Sequence, residues 1–298
     1  MASSPTSSLQ RPASLQRAEE LASTLPPLMV AAERVASTVA QGVHGRRRIG
    51  QGDAFWQYRA YQPGDTAQKI DWRQSAKTQH VFIRENEWEA AQSVWLWRDD
   101  SPSMHYASQR NLPQKGERAE LLLLALAALL MHGGERVALL GEGYAPAVGR
   151  ATLMRLAETL ARADRQGANN PSPDPLPRHA HTVLFSDFLG PLDEIETTVH
   201  GFAGRGVNGH LVQVLDPAEE SLPFSGRIRF EGLEAEGTTL INRTENVRDE
   251  YIRRMAKRRA DLQTLCRRRG WTFSLHHSDS PPQAALLTLY SLLSERRD

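Results

Sequence analysis

The residues Val94-Trp95-Leu96-Trp97-Arg98-Asp99-Asp100-Ser101-Pro102-Ser103-Met104 decide the fold prediction for this chain. Four apolar residues bounded by polar ones predict a short buried strand over 94–97, although periodicity alone also admits a helix. A carboxylate and two hydroxyls then follow at two-residue spacing, at Asp99, Ser101 and Ser103. A turn that leaves the strand can bring these three side chains to one point. Oxygen ligands of this kind suit Mg²⁺, which keeps several waters and takes few protein ligands.

The pattern Asp-x-Ser-x-Ser resembles the metal ion-dependent adhesion site (MIDAS) of von Willebrand factor A domains. In that resemblance, a loop threonine adds a further metal ligand, and Thr152 is the nearest match in this chain. The alternative interpretation is a polar strand-to-helix turn in which Ser103 caps the next helix.

The composition restricts the class of protein. The 298 residues are 40% apolar and 24% charged, which is typical of ordinary soluble globular proteins. A net charge of +1 gives no global reason to expect nucleic acid or an anionic membrane as a partner. The lone cysteine, Cys266, excludes an internal disulfide and a multi-cysteine zinc site. The apolar run 121–131 is shorter than the roughly 20 residues that span a bilayer, and we therefore expect a cytoplasmic protein.

The order of elements along the chain predicts an α/β fold. We expect a mobile tail and a short helix in residues 1–40, a β-rich subdomain in 41–90, and an α/β domain in 91–298. In that domain, near-continuous apolar strands separated by helices indicate a doubly wound, mostly parallel sheet. Further strands are expected at 136–140, 145–148, 182–185, 210–215 and 271–275, with a hairpin-like excursion within 226–241.

A second carboxylate is expected beside the first. If 145–148 is the short third strand, then 182–185 is the fourth and lies next to 94–97 in the common strand order. Asp187, which follows that fourth strand, then arrives at the same sheet edge as Asp99. Two carboxylates brought together repel unless a cation or a proton lies between them. This arrangement independently favours a metal site.

A charged turn precedes the α/β domain. Pro63-Gly64 fits a tight turn, because proline fixes the first central dihedral and glycine accepts a positive φ at the second. The surrounding charges can close a hydrogen-bonded network around that turn, or they can simply fix a small β-subdomain. The residues of this signature are Arg59, Tyr61, Pro63, Gly64, Asp65, Asp71, Trp72 and Arg73.

These residues, followed by the Asp-x-Ser-x-Ser motif, resemble the signature of the bacterial "domain of unknown function 58" family with its von Willebrand factor A-like domain. The resemblance implies a metal-assisted protein–protein interaction module rather than an enzyme. It also implies an adaptor or assembly factor for a chaperone-like MoxR-type AAA+ ATPase and an unknown client protein. The implied ligands for Mg²⁺ or Mn²⁺ are Asp99, Ser101, Ser103, Thr152 and Asp187.

Two other functions stay open at this point. A Mg²⁺- or Mn²⁺-dependent hydrolase would use the same carboxylates, and a pairing of His105 with Ser101 or Ser103 would need contact in space. Nucleic-acid binding would use the strongly basic helix expected at 243–269. The candidate surface for an anionic partner on that helix, which could equally be a solvated face, comprises Arg253, Arg254, Lys257 and Arg258.

Overall fold

The computed structural model of the chain describes residues 27–43, 55–61, 70–77, 80–86, 92–162, 169–171, 174–233 and 237–294. The helices are α1 (Pro27–Val43), α2 (Trp72–Ser75), α3 (Lys115–His132), α4 (Arg150–Arg162), α5 (Leu192–Ala203), α6 (Pro217–Ser221), α7 (Glu245–Arg268) and α8 (Pro282–Ser294). The strands are β1 (Phe55–Ala60), β2 (Phe82–Asn86), β3 (Ser93–Arg98), β4 (Arg136–Leu139), β5 (His181–Ser186), β6 (Asn208–Leu215), β7 (Ile228–Glu231), β8 (Thr238–Ile241) and β9 (Thr272–His277). A 3₁₀ turn, Pro102–His105, follows β3.

A five-stranded parallel sheet forms the centre of the α/β domain. Its strand order is β4-β3-β5-β6-β9, and every neighbouring pair is parallel. The prediction that β5 lies beside β3 is confirmed, with Leu96 opposite Val183. The expected strand at 145–148 is wrong, because the structure has only an isolated antiparallel bridge there, between Val137 and Ala147.

Alternation along the strands divides the core into two layers. Val94 and Leu96 of β3 belong to one buried apolar cluster, whereas Trp95 belongs to the other. This period of two is expected when successive side chains point to opposite faces of a sheet. The first layer is covered by α1, α3, α4 and α8, and the second by α5 and α7. Both faces of the sheet are therefore buried, which explains the near-continuous apolar strands.

Helix α1 belongs to the core of the α/β domain. Its buried residues, which include Met29, Ala32 and Val39, join the same apolar cluster as α3 and α8. The sequence placed this helix with an N-terminal tail outside the α/β domain. The structure packs its apolar stripe directly against α3, whereas residues 1–26 lie outside the described part of the chain.

Two antiparallel strand pairs stand apart from the central sheet. Strands β1 and β2 pair in the region where a β-rich subdomain was expected. Strands β7 and β8 form the predicted excursion, with Ile228 opposite Ile241. This second pair forms part of the wall of the cleft described below.

The close packing of Gly209 against the Trp271 ring predicts how a substitution at Gly209 changes stability. A Cβ built on Gly209 would lie 2.2 Å from the Trp271 ring, whose indole N–H donates to the Val207 carbonyl at 3.1 Å. We expect Gly209→Ala to lower the free energy of unfolding by about 2–3 kcal/mol through overpacking, measured by urea denaturation. Gly201→Ala, on α5 with open space around its Cβ, is the matched control and should be neutral or stabilising. Equal effects of the two substitutions would contradict this account.

Candidate functional site

The candidate site lies where the strand order of the central sheet reverses. Strand β4 lies on one side of β3, and the next strand along the chain, β5, lies on the other side of β3. In open α/β sheets, ligands bind beyond the carboxyl ends of the strands at this kind of switch point. Asp99 follows β3 and Asp187 follows β5, and the Asp99 N–H donates to the Phe185 carbonyl at 2.8 Å. Both carboxylates therefore reach the same edge.

The structure brings Asp99, Ser101, Ser103 and Asp187 together. The Ser101 and Ser103 hydroxyl oxygens are 3.0 Å apart, and the Ser103 hydroxyl donates to Asp187 Oδ2 at 2.8 Å. Asp99 Oδ1 accepts the Ser101 N–H at 2.8 Å. Its Oδ2 accepts the hydroxyl of Ser186, a residue that the sequence analysis missed, at 2.6 Å. Four of the five predicted ligand positions form one polar cluster, in which Asp99 and Ser101 are fully buried.

The donor set fits a hard divalent cation. Adjacent ligands of an octahedral Mg²⁺ lie about 2.9 Å apart when each is at its usual distance from the ion. Ser101, Ser103 and Asp187 are joined by hydrogen bonds of 3.0 Å and 2.8 Å, and this spacing is also compatible with neighbouring ligands of such an ion. Among the described residues, no group of three histidine, cysteine or carboxylate side chains could hold a metal. A cation here would depend on hydroxyls and water as well as carboxylates.

Asp99 is held in an environment that disfavours its charge. Burial, together with the nearby charge of Asp187, outweighs the hydrogen bonds from Ser186 and Ser101 and raises the pKa of Asp99 to about 6. A cation between the two carboxylates would relieve this cost, because an opposite charge favours the ionised form.

The raised pKa of Asp99 predicts a pH dependence of stability. The folded protein binds this proton more tightly than the unfolded chain, whose aspartate pKa is about 3.9. The stabilising contribution is therefore complete below pH ~4 and is lost as the pH rises through about 6. In EDTA, we expect the free energy of unfolding of the wild type to fall relative to that of Asp99→Asn by about 2–3 kcal/mol over this range. A constant difference between the two urea-unfolding series would refute the assignment.

A buried lysine lies at the centre of the cluster and was not found from the sequence. Lys115 is 1% exposed, and its Nζ lies 2.8 Å from Asp187 Oδ2 and 2.6 Å from Glu219 Oε1. Helix α3 begins at Lys115, ahead of the expected apolar run, and this start places the amine in the site. Gly116 lets the first turn of α3 pack closely against Met104, because a Cβ at this position would lie 3.3 Å from the Met104 carbonyl oxygen.

Glu219 is positioned by the capping of a short helix. Asp216 begins α6, and its side chain accepts the Ala218 N–H at 2.8 Å. Glu219 Oε2 accepts the Asp216 N–H at 2.9 Å, which leaves Oε1 for Lys115. The sequence Asp216-Pro217-Ala218-Glu219 has the spacing of a capping box, so this local signal was available.

The segment that carries Asp187 is fixed by several hydrogen bonds. Phe188 has a φ of 50°, in the left-handed region that non-glycine residues rarely adopt. Its N–H donates to the Ser186 hydroxyl, and its carbonyl accepts Arg258 Nε–H at 2.9 Å. Gln213 Nε2 donates to the Asp187 carbonyl at 2.8 Å. Strained backbone held in this way is common at functional sites.

The sequence analysis predicted Arg258 to be an outward-facing cation. The structure contradicts this prediction. The helical period placed it on the outer face of α7, but its long side chain reaches back to the carbonyls of Phe188 and Gly190. Arg253 and Arg254 are exposed, and both pair with Glu250. The basic helix uses part of its charge within the protein.

A cleft of about 310 Å³ opens beside the cluster. Asp99, Ser103, Asp187 and Glu219 line its polar end. The rest of its wall is mostly apolar and comes from the segment after β5, from the region around β7 and from α7. The apolar and aromatic residues of this wall include Phe188, Leu189, Leu222, Phe224, Phe230, Leu233 and Tyr251. Leu189 and Leu233 are exposed, so part of the apolar wall faces solvent.

Several other predicted positions are used elsewhere. Thr152 is buried in the first turn of α4, where its hydroxyl donates to the Val148 carbonyl at 3.1 Å, so its role as the loop ligand stays a prediction. Asp100, which fills a variable position of the Asp-x-Ser-x-Ser motif, pairs with Arg98 rather than with the cluster. His105 Nδ1 lies 3.4 Å from Gln114 Oε1, and its buried Nε2 has no hydrogen-bond partner among the described residues, so neither ring nitrogen pairs with Ser101 or Ser103 there.

The Arg-Tyr-Pro-Gly-Asp signature is described only in part. Pro63, Gly64 and Asp65 and the side chain of Arg59 lie outside the described residues, so the predicted charge network stays a prediction. Tyr61 N–H donates to the Val81 carbonyl at 2.8 Å, and Asp71 N–H to that of Phe82 at 2.9 Å. Trp72 is 67% exposed, and the neighbouring Arg73 is exposed as well. The described part of the signature thus lies beside the β1–β2 pair with its tryptophan facing solvent.

The fold and the cluster define a class: a doubly wound α/β domain with carboxylates and hydroxyls at its switch point. The chain belongs to the family described as "Protein of unknown function DUF58", whose model matches residues 57–261. Uncharacterized proteins of Mycobacterium tuberculosis (Rv1480) and Mycobacterium bovis (Mb1516) are each 28% identical to it in an alignment 263 residues long, which covers 83% of this chain and 82% of theirs.

Two solved structures are weakly similar to this chain. An aerotolerance-related membrane protein of Bacteroides fragilis matches with a TM-score of 0.44 and 13% identity. BatB of Bacteroides thetaiotaomicron matches with a TM-score of 0.40 and 14% identity. Each match covers 69% of this chain and all of the other chain. Within the part of this chain that the structure describes, we find no helix long and apolar enough to cross a bilayer.

Proposed function

We propose that this protein is a von Willebrand factor A-like interaction module that binds its partner through a divalent cation. The observation that carries the proposal is the meeting of Asp99, Ser101, Ser103 and Asp187 at the carboxyl edge of the parallel sheet. The cation, Mg²⁺ or Mn²⁺, would be held by these four side chains. A divalent ion held by few protein ligands keeps open positions, one of which accepts a carboxylate of the partner.

The cleft indicates what else the partner must present. Its polar end contains the proposed cation ligands, and its other walls are built from apolar and aromatic side chains. Polar groups that fix orientation within a mostly apolar concave surface are typical of ligand sites. The proposed partner segment therefore carries an acidic side chain next to a large apolar one. The acidic group reaches the cation, and the apolar group packs on the exposed apolar wall that includes Leu189 and Leu233.

The proposed partner is a MoxR-type AAA+ ATPase, with this protein as its adaptor or assembly factor. Support for that choice is the resemblance of the signature and the Asp-x-Ser-x-Ser motif to the DUF58 family. The cleft requires a partner segment with an acidic side chain next to an apolar one, and this requirement does not depend on the resemblance. It restricts which segment of an ATPase can bind in the cleft.

The test is co-purification of a MoxR-type ATPase from the native host with the tagged full chain. We expect retention of the ATPase in Mg²⁺ and its release by EDTA, because the cation bridges the two proteins. Retention that is equal in Mg²⁺ and in EDTA would overturn the proposal.

A further inference from the structure

Lys115 places a permanent positive charge in the proposed cation site. A lysine that is 1% exposed is unusual, because removing an ammonium group from water is costly unless it is paired. Its Nζ lies 2.8 Å from Asp187 Oδ2 and 2.6 Å from Glu219 Oε1, and opposite charges at these distances favour the charged form of the amine. The amine is therefore an ammonium ion with two carboxylate partners.

The amine and the proposed metal share one oxygen atom. Asp187 Oδ2 accepts hydrogen bonds from Lys115 Nζ and from the Ser103 hydroxyl, each at 2.8 Å. The other oxygen, Oδ1, accepts the Leu189 N–H at 3.0 Å. A divalent ion that binds Ser103 and Asp187 must compete with the ammonium group for Oδ2. Two cations this close repel each other.

Glu219 offers the ammonium group a second place. Its Oε1 lies 2.6 Å from Lys115 Nζ, and its Oε2 is fixed by the Asp216 N–H. The ammonium group can keep its contact with Glu219 when a metal takes Asp187. Asp187 is therefore the carboxylate for which the metal and Lys115 compete. Glu219 is the carboxylate that remains paired with Lys115 and keeps it charged.

We propose that Lys115 is a built-in competitor that sets the divalent-ion affinity of this site, with Glu219 as the position to which its ammonium group withdraws. In the metal-free protein Lys115 neutralises Asp187 and keeps the buried cluster intact. When the ion binds, Asp187 is transferred from the lysine to the ion. Competition from Lys115 makes metal binding weak and reversible. A partner that adds its own carboxylate to the ion therefore shifts the equilibrium toward the metal-bound state. This inference rests on the proposed function.

The experiment measures Mn²⁺ and Mg²⁺ affinity by titration calorimetry on the full chain. Lys115→Met removes the competing charge, and we expect it to tighten Mn²⁺ binding by about tenfold or more, equivalent to about 1.4 kcal/mol. Glu219→Gln leaves the ammonium group with Asp187 alone and should weaken binding below that of the wild type. Lys115→Arg keeps the charge, and its affinity should not exceed that of the wild type.

A charge-balanced variant covers the case in which Lys115→Met does not fold. The double substitution Lys115→Met with Glu219→Gln has the same net charge in the cluster as the wild type, and we expect it to bind Mn²⁺ more tightly than the wild type. Wild-type affinity in both lysine-to-methionine variants would overturn the inference. Binding by these variants with none by the wild type would support it while contradicting the metal step of the proposed function. An absence of binding in all variants would overturn both.

Discussion

Replacing Lys115 with methionine is expected to lower the free energy of unfolding by about 3–5 kcal/mol in EDTA at neutral pH. The substitution leaves the buried Asp187 and the half-buried Glu219 without their shared cation, and an uncompensated buried charge is among the most destabilising changes in a protein. Asp187 lies within 3 Å of the amine and is 3% exposed, so solvent cannot replace the lost partner. Urea denaturation followed by circular dichroism measures the difference.

The matched control for this substitution is Lys257→Met on the exposed face of α7. The same chemical change there should alter the free energy of unfolding by less than about 0.5 kcal/mol. Saturating Mn²⁺ should restore part of the stability lost in Lys115→Met, because the ion then supplies the missing positive charge. A loss smaller than 1 kcal/mol in Lys115→Met would mean that the ion pairs of Lys115 contribute little to the cluster.

Asp187→Ala is expected to reduce binding of the proposed partner, a MoxR-type ATPase, about a hundredfold or more, equivalent to about 2.7 kcal/mol. The change removes the carboxylate that holds Ser103 and that the proposed cation needs. Asp187→Asn keeps the shape of the side chain and should show the same loss, which separates charge from packing. The measurement is the dissociation constant of purified ATPase for each variant in Mg²⁺.

The control for partner binding changes charge on the surface of α7. Arg253→Ala with Arg254→Ala removes two exposed cations that pair only with Glu250 in the described structure, and we expect nearly unchanged ATPase affinity. Arg258 is unsuitable for this control, because it supports the backbone at Phe188 and Gly190. If the double variant loses the ATPase while Asp187→Ala keeps it, partner binding occurs through the basic helix and not through the cluster.

The central sheet and the cluster were predictable from local patterns. The apolar segment of β3 and the polar residues after it are adjacent in sequence, so the strand, the turn and three residues of the cluster appear in one short stretch. Asp187 could be found because strand order in doubly wound sheets follows few alternatives. The strand predicted at 145–148 is absent except for the single bridge between Val137 and Ala147. A short apolar run does not reveal whether a neighbouring strand is available for full pairing.

The roles of Lys115, Glu219 and Arg258 at the site could not be predicted in the same way. Lys115 opens a helix within a polar segment, where lysine is ordinarily solvated. Its partners, Asp187 and Glu219, are 72 and 104 residues away in sequence. Arg258 has a surface position by helical period, yet its side chain is long enough to reach the carbonyls beside Asp187. Both roles arise from tertiary contacts of long side chains, about which periodicity gives no information.

The most direct test of the central claim is a titration of Mn²⁺ into the wild-type protein, Asp99→Ala and Asp187→Ala, read as thermal and urea stabilisation. We predict that the wild type binds one ion per chain and gains about 2.7 kcal/mol of stability at an ion concentration one hundred times its Kd. Both variants should show no saturable stabilisation. Equal stabilisation of all three proteins would contradict a cation site formed by Asp99, Ser101, Ser103 and Asp187.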